Sequence, residues 1–179
     1  MDVSPLEKLL ARLDETGPEG RAARDYLAGR RVRVGLRRQP TGARWTALGG
    51  IQLNPSQLAD EAYALSLIVH EVRHLRQGVF GALSVRGELE AWQEQFAFLK
   101  LQTGKYSASP RHEAIIEELM TLSLDSRADL QRARALMREY AGPKYRINWL
   151  PLYPLGRKII YWLKSKKQPQ MNTDKKDNL

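Results

Sequence analysis

The chain has 179 residues, 42% hydrophobic and 27% charged, enough for one domain with a real core. It contains no cysteine, which excludes a disulfide framework and a thiolate metal site; any metal must be held by His, Asp or Glu. The net charge of +9 is unevenly spread: residues 143–179 hold nine of the 29 Lys and Arg but two of the 20 Asp and Glu, so the first 142 residues are close to neutral.

The N-terminus mixes acidic, basic and apolar residues and lacks the basic start and apolar middle of a signal peptide. The longest apolar patch, residues 159–163, is too short to span a bilayer, so a cytoplasmic location is the expectation. Two short helices are expected over 5–13 and 19–29, broken by Thr16-Gly17-Pro18. Residues 31–36 alternate basic with apolar or small side chains, the period of a half-buried strand. Residues 44–53 add one or two strands around a Gly49-Gly50 turn. Asn54 is a good N-cap, Pro55 suits the first helical position and Gln57 can close a capping box. A helix over 55–77 follows, with Leu58, Ala62, Leu65, Val69 and Val72 in one apolar stripe and Gly78 as a left-handed stop. A second long helix covers 85–103 with Leu89, Trp92, Phe96 and Leu99 buried, and two more run from Ser109-Pro110 to Leu122 and from Asp125 or Ser126 to Tyr140. These elements make an α+β domain over 1–142.

The chemistry-bearing signal is His70-Glu71-Val72-Arg73-His74. Two histidines four apart on a helix point the same way, as two imidazoles must to reach one cation. Glu71 flanks the open side of such a site, where a carboxylate can take the proton of a zinc-bound water. His-Glu-x-x-His arises by chance on solvated helices. Here, however, two of the chain's three histidines form it, the helix is long and capped, and a Glu-rich helix follows. Arg73 is a charge where such motifs usually carry none; it needs solvent or an acid on its face.

A strand-rich segment, an HExxH helix and a Glu-bearing helix resemble the zincin metallopeptidases, in the gluzincin branch, over residues 31–104. The resemblance implies a zinc-dependent peptidase acting on a peptide or protein. His70, His74 and a glutamate would be the Zn2+ ligands, Glu71 the general base, and Ile51-Gln52-Leu53 the edge strand that pairs with substrate. Many gluzincins carry Glu-x-x-Ala-Asp on the second helix. Glu88 with Ala91 fits this and Glu90 is the alternative third ligand, while the family's Asp is Trp92 here. His112, Tyr106 and Tyr145 are the candidate donors to an oxyanion.

Residues 143–167 interleave Tyr145, Trp149, Tyr153, Tyr161 and Trp162 with Lys and Arg, and residues 155–167 can form an amphipathic helix suited to an anionic membrane surface. Residues 168–179 have the composition of a disordered tail. Arg30, Arg31, Arg33, Arg37 and Arg38 form a second basic cluster, read as a solvated strand face. The near-neutral first 142 residues argue against nucleic acid as partner. Two other readings remain: a metal that only staples two helices, and a basic nucleic-acid or membrane-surface domain with an accidental motif.

Overall fold

The computed structural model describes residues 3–46, 48–142 and 145–155. Among these residues, six α-helices and a small mixed sheet make an α+β fold. Helix α1 (Pro5–Ala11) opens with a capping box in which Ser4 and Glu7 satisfy each other's backbone amides. One 3₁₀ turn leads into α2 (Gly17–Gly29), which begins two residues earlier than expected because Gly17 and Pro18 occupy its first positions rather than break the chain.

Strands β1 (Val34–Leu36), β2 (Ala43–Trp45) and β3 (Ile51–Leu53) follow. The β2–β3 hairpin turns at Gly49, whose φ of 75° is the left-handed conformation expected there. The order is β1-β3-β2, with β3 parallel to β1 and antiparallel to β2. Ile51-Gln52-Leu53 is therefore the central strand, not the edge strand the resemblance implied. β1 returns to pair on its far side, and the edges are β1 and β2.

The expected helix over 55–77 begins later. Asn54 caps only a 3₁₀ turn, its side chain accepting from the Ser56 main-chain N–H, while the Gln57 side-chain Nε2 donates to the Ser56 hydroxyl instead of closing a box. Asp60 is extended and its carboxylate accepts from the Tyr63 amide, so it is the true cap of α3 (Glu61–Ala82). Gly78, at φ 69° and ψ 171°, kinks α3 rather than ending it, and one more turn follows. From Ala64 to Val72 α3 is buried on every side, not along one stripe. The sheet, α1 and α2 pack on one side of it and α4 (Val85–Thr103) on the other. Two core clusters result. Leu13, Ile51, Leu53, Leu65, Ile68 and Phe98 belong to the first; Leu89, Phe96, Ile116, Leu130 and Met137, from α4, α5 (Pro110–Thr121) and α6 (Arg127–Ala141), belong to the second.

The α3–α4 turn is tight. The Ser84 hydroxyl donates to the Gly81 carbonyl and accepts from the Gly87 amide, tying one helix end to the next helix start. A Cβ on Gly87 would lie 2.0 Å from the Gly81 oxygen. Gly87→Ala should therefore wedge the helices apart beside Glu88 and cost about 1–3 kcal/mol, read as a lower urea midpoint.

Beyond α6 the chain returns to the domain. Ile147 is buried in the second cluster, and the carbonyls of Pro151 and Leu152 accept from the Val85 and Arg86 amides, satisfying the open start of α4. The amphipathic helix expected over 155–167 and the tail after it lie outside the described residues, apart from Leu155. Among the described residues no helix is long and apolar enough to cross a membrane.

Candidate metal centre

The motif sits mid-way along α3, where its buried stretch meets α4. The ring nitrogens Nε2 of His70 and His74 approach to 2.9 Å, with ring centroids 4.6 Å apart and planes at 80°. Glu88, in the first turn of α4, brings its carboxylate oxygens to 3.5 Å from His74 Nε2 and 3.9 Å from His70 Nε2. One ligand atom from each of the three lies within 4.8 Å of the others.

The donor set fits a small divalent cation. A tetrahedral zinc with N and O ligands at its usual bond lengths holds neighbouring donors about 3.3 Å apart, and the three separations straddle that value. Two imidazole nitrogens at 2.9 Å repel unless a proton or a cation lies between them. Burial first, and the neighbouring His74 second, hold the His70 pKa well below the usual imidazole value, so its ring is neutral. Ala91, 0% exposed, carries only a methyl group and lets α4 approach the histidines.

Glu71 lies beside this cluster. It is 6% exposed, and its carboxylate accepts from the Trp45 amide of β2 at 2.7 Å. Burial and the Glu88 charge push its pKa up to about 8, against the pull of the Trp45 N–H. Among the described residues neither Glu71 nor Glu88 is paired with a lysine or arginine. Without a counter-charge Glu71 therefore keeps its proton at neutral pH, and a divalent cation held by Glu88 would supply the charge that releases it as a carboxylate.

The surrounding groups fix these three side chains. His74 Nδ1 lies 3.2 Å from the Gln77 carbonyl oxygen, and the Gln77 amide donates to the Gly87 carbonyl and to Glu90. With Gln77 so oriented, Nδ1 of His74 is the protonated nitrogen and Nε2 keeps its lone pair. Tyr145 donates to Glu88 at 2.6 Å and accepts from the Trp92 indole at 3.2 Å. Burial and the Glu88 charge raise the Tyr145 pKa well above its ordinary value, so it remains a donor. Trp92 thus acts through Tyr145 on Glu88. His70 Nδ1 is buried with no hydrogen bond of ordinary geometry; the Gln95 amide and the Ala91 backbone are the polar groups beside it. Gln95, 4% exposed, is held by Ser66 at 3.4 Å.

Glu90 is not brought to the histidines. It pairs with Arg73 and accepts from Gln77. Burial opposes its charge, but the bonds from Arg73 and Gln77 and the charges of Arg73 and Arg86 outweigh it and lower its pKa. Arg73 finds the acids its position requires, in Glu90 and, at 3.4 Å, Glu94. Of the three oxyanion candidates only Tyr145 reaches the site. His112 stacks on Tyr140 and Tyr106 lies under Lys100. Gln77, Gln95 and Trp45 were not singled out from the sequence. A glutamine at an otherwise apolar position of α4, seven residues after Glu88 and so on the same face, was the available signal for Gln95.

Tyr145→Phe removes a donor from Glu88 and an acceptor from Trp92 while keeping the ring. It should weaken metal binding by about 10–100-fold, measured by competition with a chelating dye. Comparison with protein-family models, with curated proteins and with solved structures returns no match, so the zincin resemblance stays with the motif.

Proposed function

We propose that the chain is a zinc-dependent hydrolase that cleaves peptide bonds. The observation that carries this reading is the convergence of His70, His74 and Glu88 with a separate carboxylate, Glu71, alongside and tied to the edge strand β2. Two imidazoles and one carboxylate are a zinc set that leaves one position open, as catalytic sites do and closed structural sites do not. The metal would supply Lewis acidity at a scissile carbonyl and lower the pKa of water.

The chain's own groups do the rest. Glu71 takes the proton of the attacking water and delivers it to the leaving amine. The Trp45 N–H holds one Glu71 oxygen and leaves the other for that proton. Tyr145 orients Glu88, and its single proton is committed there rather than to an oxyanion. The substrate strand lies along β2, the edge next to Glu71, in place of the central β3.

The depth of the site, with His74 only 3% exposed, favours a second reading in which the metal staples α3 to α4 without chemistry. A quenched fluorescent peptide library separates the two. The hydrolase reading expects cleavage that a chelator stops and zinc restores. A zinc-loaded chain that cuts nothing supports the staple.

A further inference from the structure

Residues 26–59 contain six arginines and no acidic residue. All six, Arg30, Arg31, Arg33, Arg37, Arg38 and Arg44, are exposed, and among the described residues none is in an ion pair. Elsewhere Arg12, Arg24, Arg73, Arg76, Arg86, Arg111 and Arg132 face acids, while Arg21, Arg127 and Arg138 stand apart from one another without an ion pair among the described residues and Arg134 donates to the Leu150 carbonyl. The pairing register aligns Gly35, Gln52 and Arg44 across the outer face of the sheet. Gly35, on the edge strand β1, leaves that side of the face bare, and a depression of about 440 Å³ opens there, lined in part by Arg31, Arg33 and Gln52. On the other side of β3, Arg44 of β2 donates to the Gln52 side-chain oxygen Oε1 at 2.9 Å.

This face is continuous with the candidate centre. Thr46 bonds Gly50 and Asn54 bonds Gly42 across the hairpin, so the alternate residues Ala43 and Trp45 turn their main-chain groups away from β3. One of these, the Trp45 amide, meets Glu71. Among the described residues the Ala43 amide and the Ala43 and Trp45 carbonyls make no hydrogen bond, which leaves a strand edge for a polypeptide to join. A strand added there places every second side chain on the outer face, beside Arg44.

We propose that this edge takes an acidic polypeptide, its carboxylates at alternate positions lying on the arginine face of the sheet; the inference rests on the peptidase reading and names its substrate class. Arginine forks match carboxylates two bonds at a time, and opposite charges in cross-strand pairs stabilise a sheet. Phosphate also suits arginine. Yet a nucleic acid has no backbone to complete a strand edge, and Gly35, Gln52 and Arg44 offer no aromatic ring for a base to stack on.

The test titrates the full chain carrying Glu71→Gln, so that bound peptide is not consumed, into labelled (Glu-Thr)5, (Gln-Thr)5 and a single-stranded DNA ten nucleotides long. The acidic peptide should bind at least about tenfold tighter than its glutamine analogue, and Arg33→Gln with Arg44→Gln should remove most of that preference. The parent chain gives the same comparison through kcat/KM for the two peptides. Equal binding of the two peptides overturns the proposal. So does a preference indifferent to Arg33 and Arg44, which assigns it to the basic C-terminus, or DNA binding tighter than the peptide through the same arginines. Arginine-dependent binding with no cleavage by the parent chain sinks the peptidase reading alone; cleavage with no acidic preference sinks this proposal alone.

Discussion

Glu71→Gln is expected to lower kcat by about 10²–10⁴-fold while the chain keeps its fold and its metal. The side chains are nearly isosteric, and the glutamine oxygen can still accept the Trp45 N–H that Glu71 accepts at 2.7 Å. Glu71 is outside the His70, His74 and Glu88 cluster, so the ligand set is untouched. What is lost is the capacity to take a proton from water and give it to an amine. The substitution also removes one of two neighbouring buried carboxylates, so it should not destabilise the metal-free protein. Unchanged turnover would remove Glu71 from the role of base, and loss of metal would make it a ligand.

His74→Ala is expected to abolish tight metal binding and turnover together, and to lower the melting temperature of the protein as purified to that of the chelated parent. Metal held at a thousand times its Kd stabilises the folded state by about 4 kcal/mol, and that stabilisation goes with the ligand. A cavity is left as well, because the His74 ring packs in the seam and bonds Gln77. The two contributions separate on adding chelator. It should lower the melting temperature of the parent and leave that of His74→Ala unmoved. A parent chain whose melting is indifferent to chelator would contradict the site.

The centre was legible where local geometry decides and illegible where distant parts of the chain meet. Spacing alone put His70 and His74 on one face of a helix, because a helix turn brings i and i+4 together. Glu88 and Glu90 could not be separated from their own neighbourhood. Two residues apart on a helix they face about 200° apart, so one meets the histidines and the other cannot. Arg73 held the missing information, since its position draws Glu90 and Glu94 to itself. Tyr145, 57 residues from Glu88, reaches the site through the return of the chain after α6, which no spacing encodes.

The same division runs through the fold. Two or three strands and the Gly49 turn follow from alternation and turn chemistry, and three form, the first shortened to Val34–Leu36, but the order β1-β3-β2 depends on β1 pairing beyond the hairpin. That non-local choice makes β2 an edge and β3 the central strand. At the start of α3 two capping residues competed. Asn54 with Pro55 reads well as a beginning, yet Asp60 lies nearer the buried stretch and its carboxylate holds the Tyr63 amide. The continuous burial of Ala64 to Val72 comes from layers on both sides of α3, whereas an amphipathic stripe assumes solvent on one.

The most direct test of the central claim is the metal content of the freshly purified chain. Elemental analysis should find about one zinc per chain in the parent and in Glu71→Gln, and almost none in His74→Ala. A folded parent chain that carries no zinc and takes up none on titration would contradict the account.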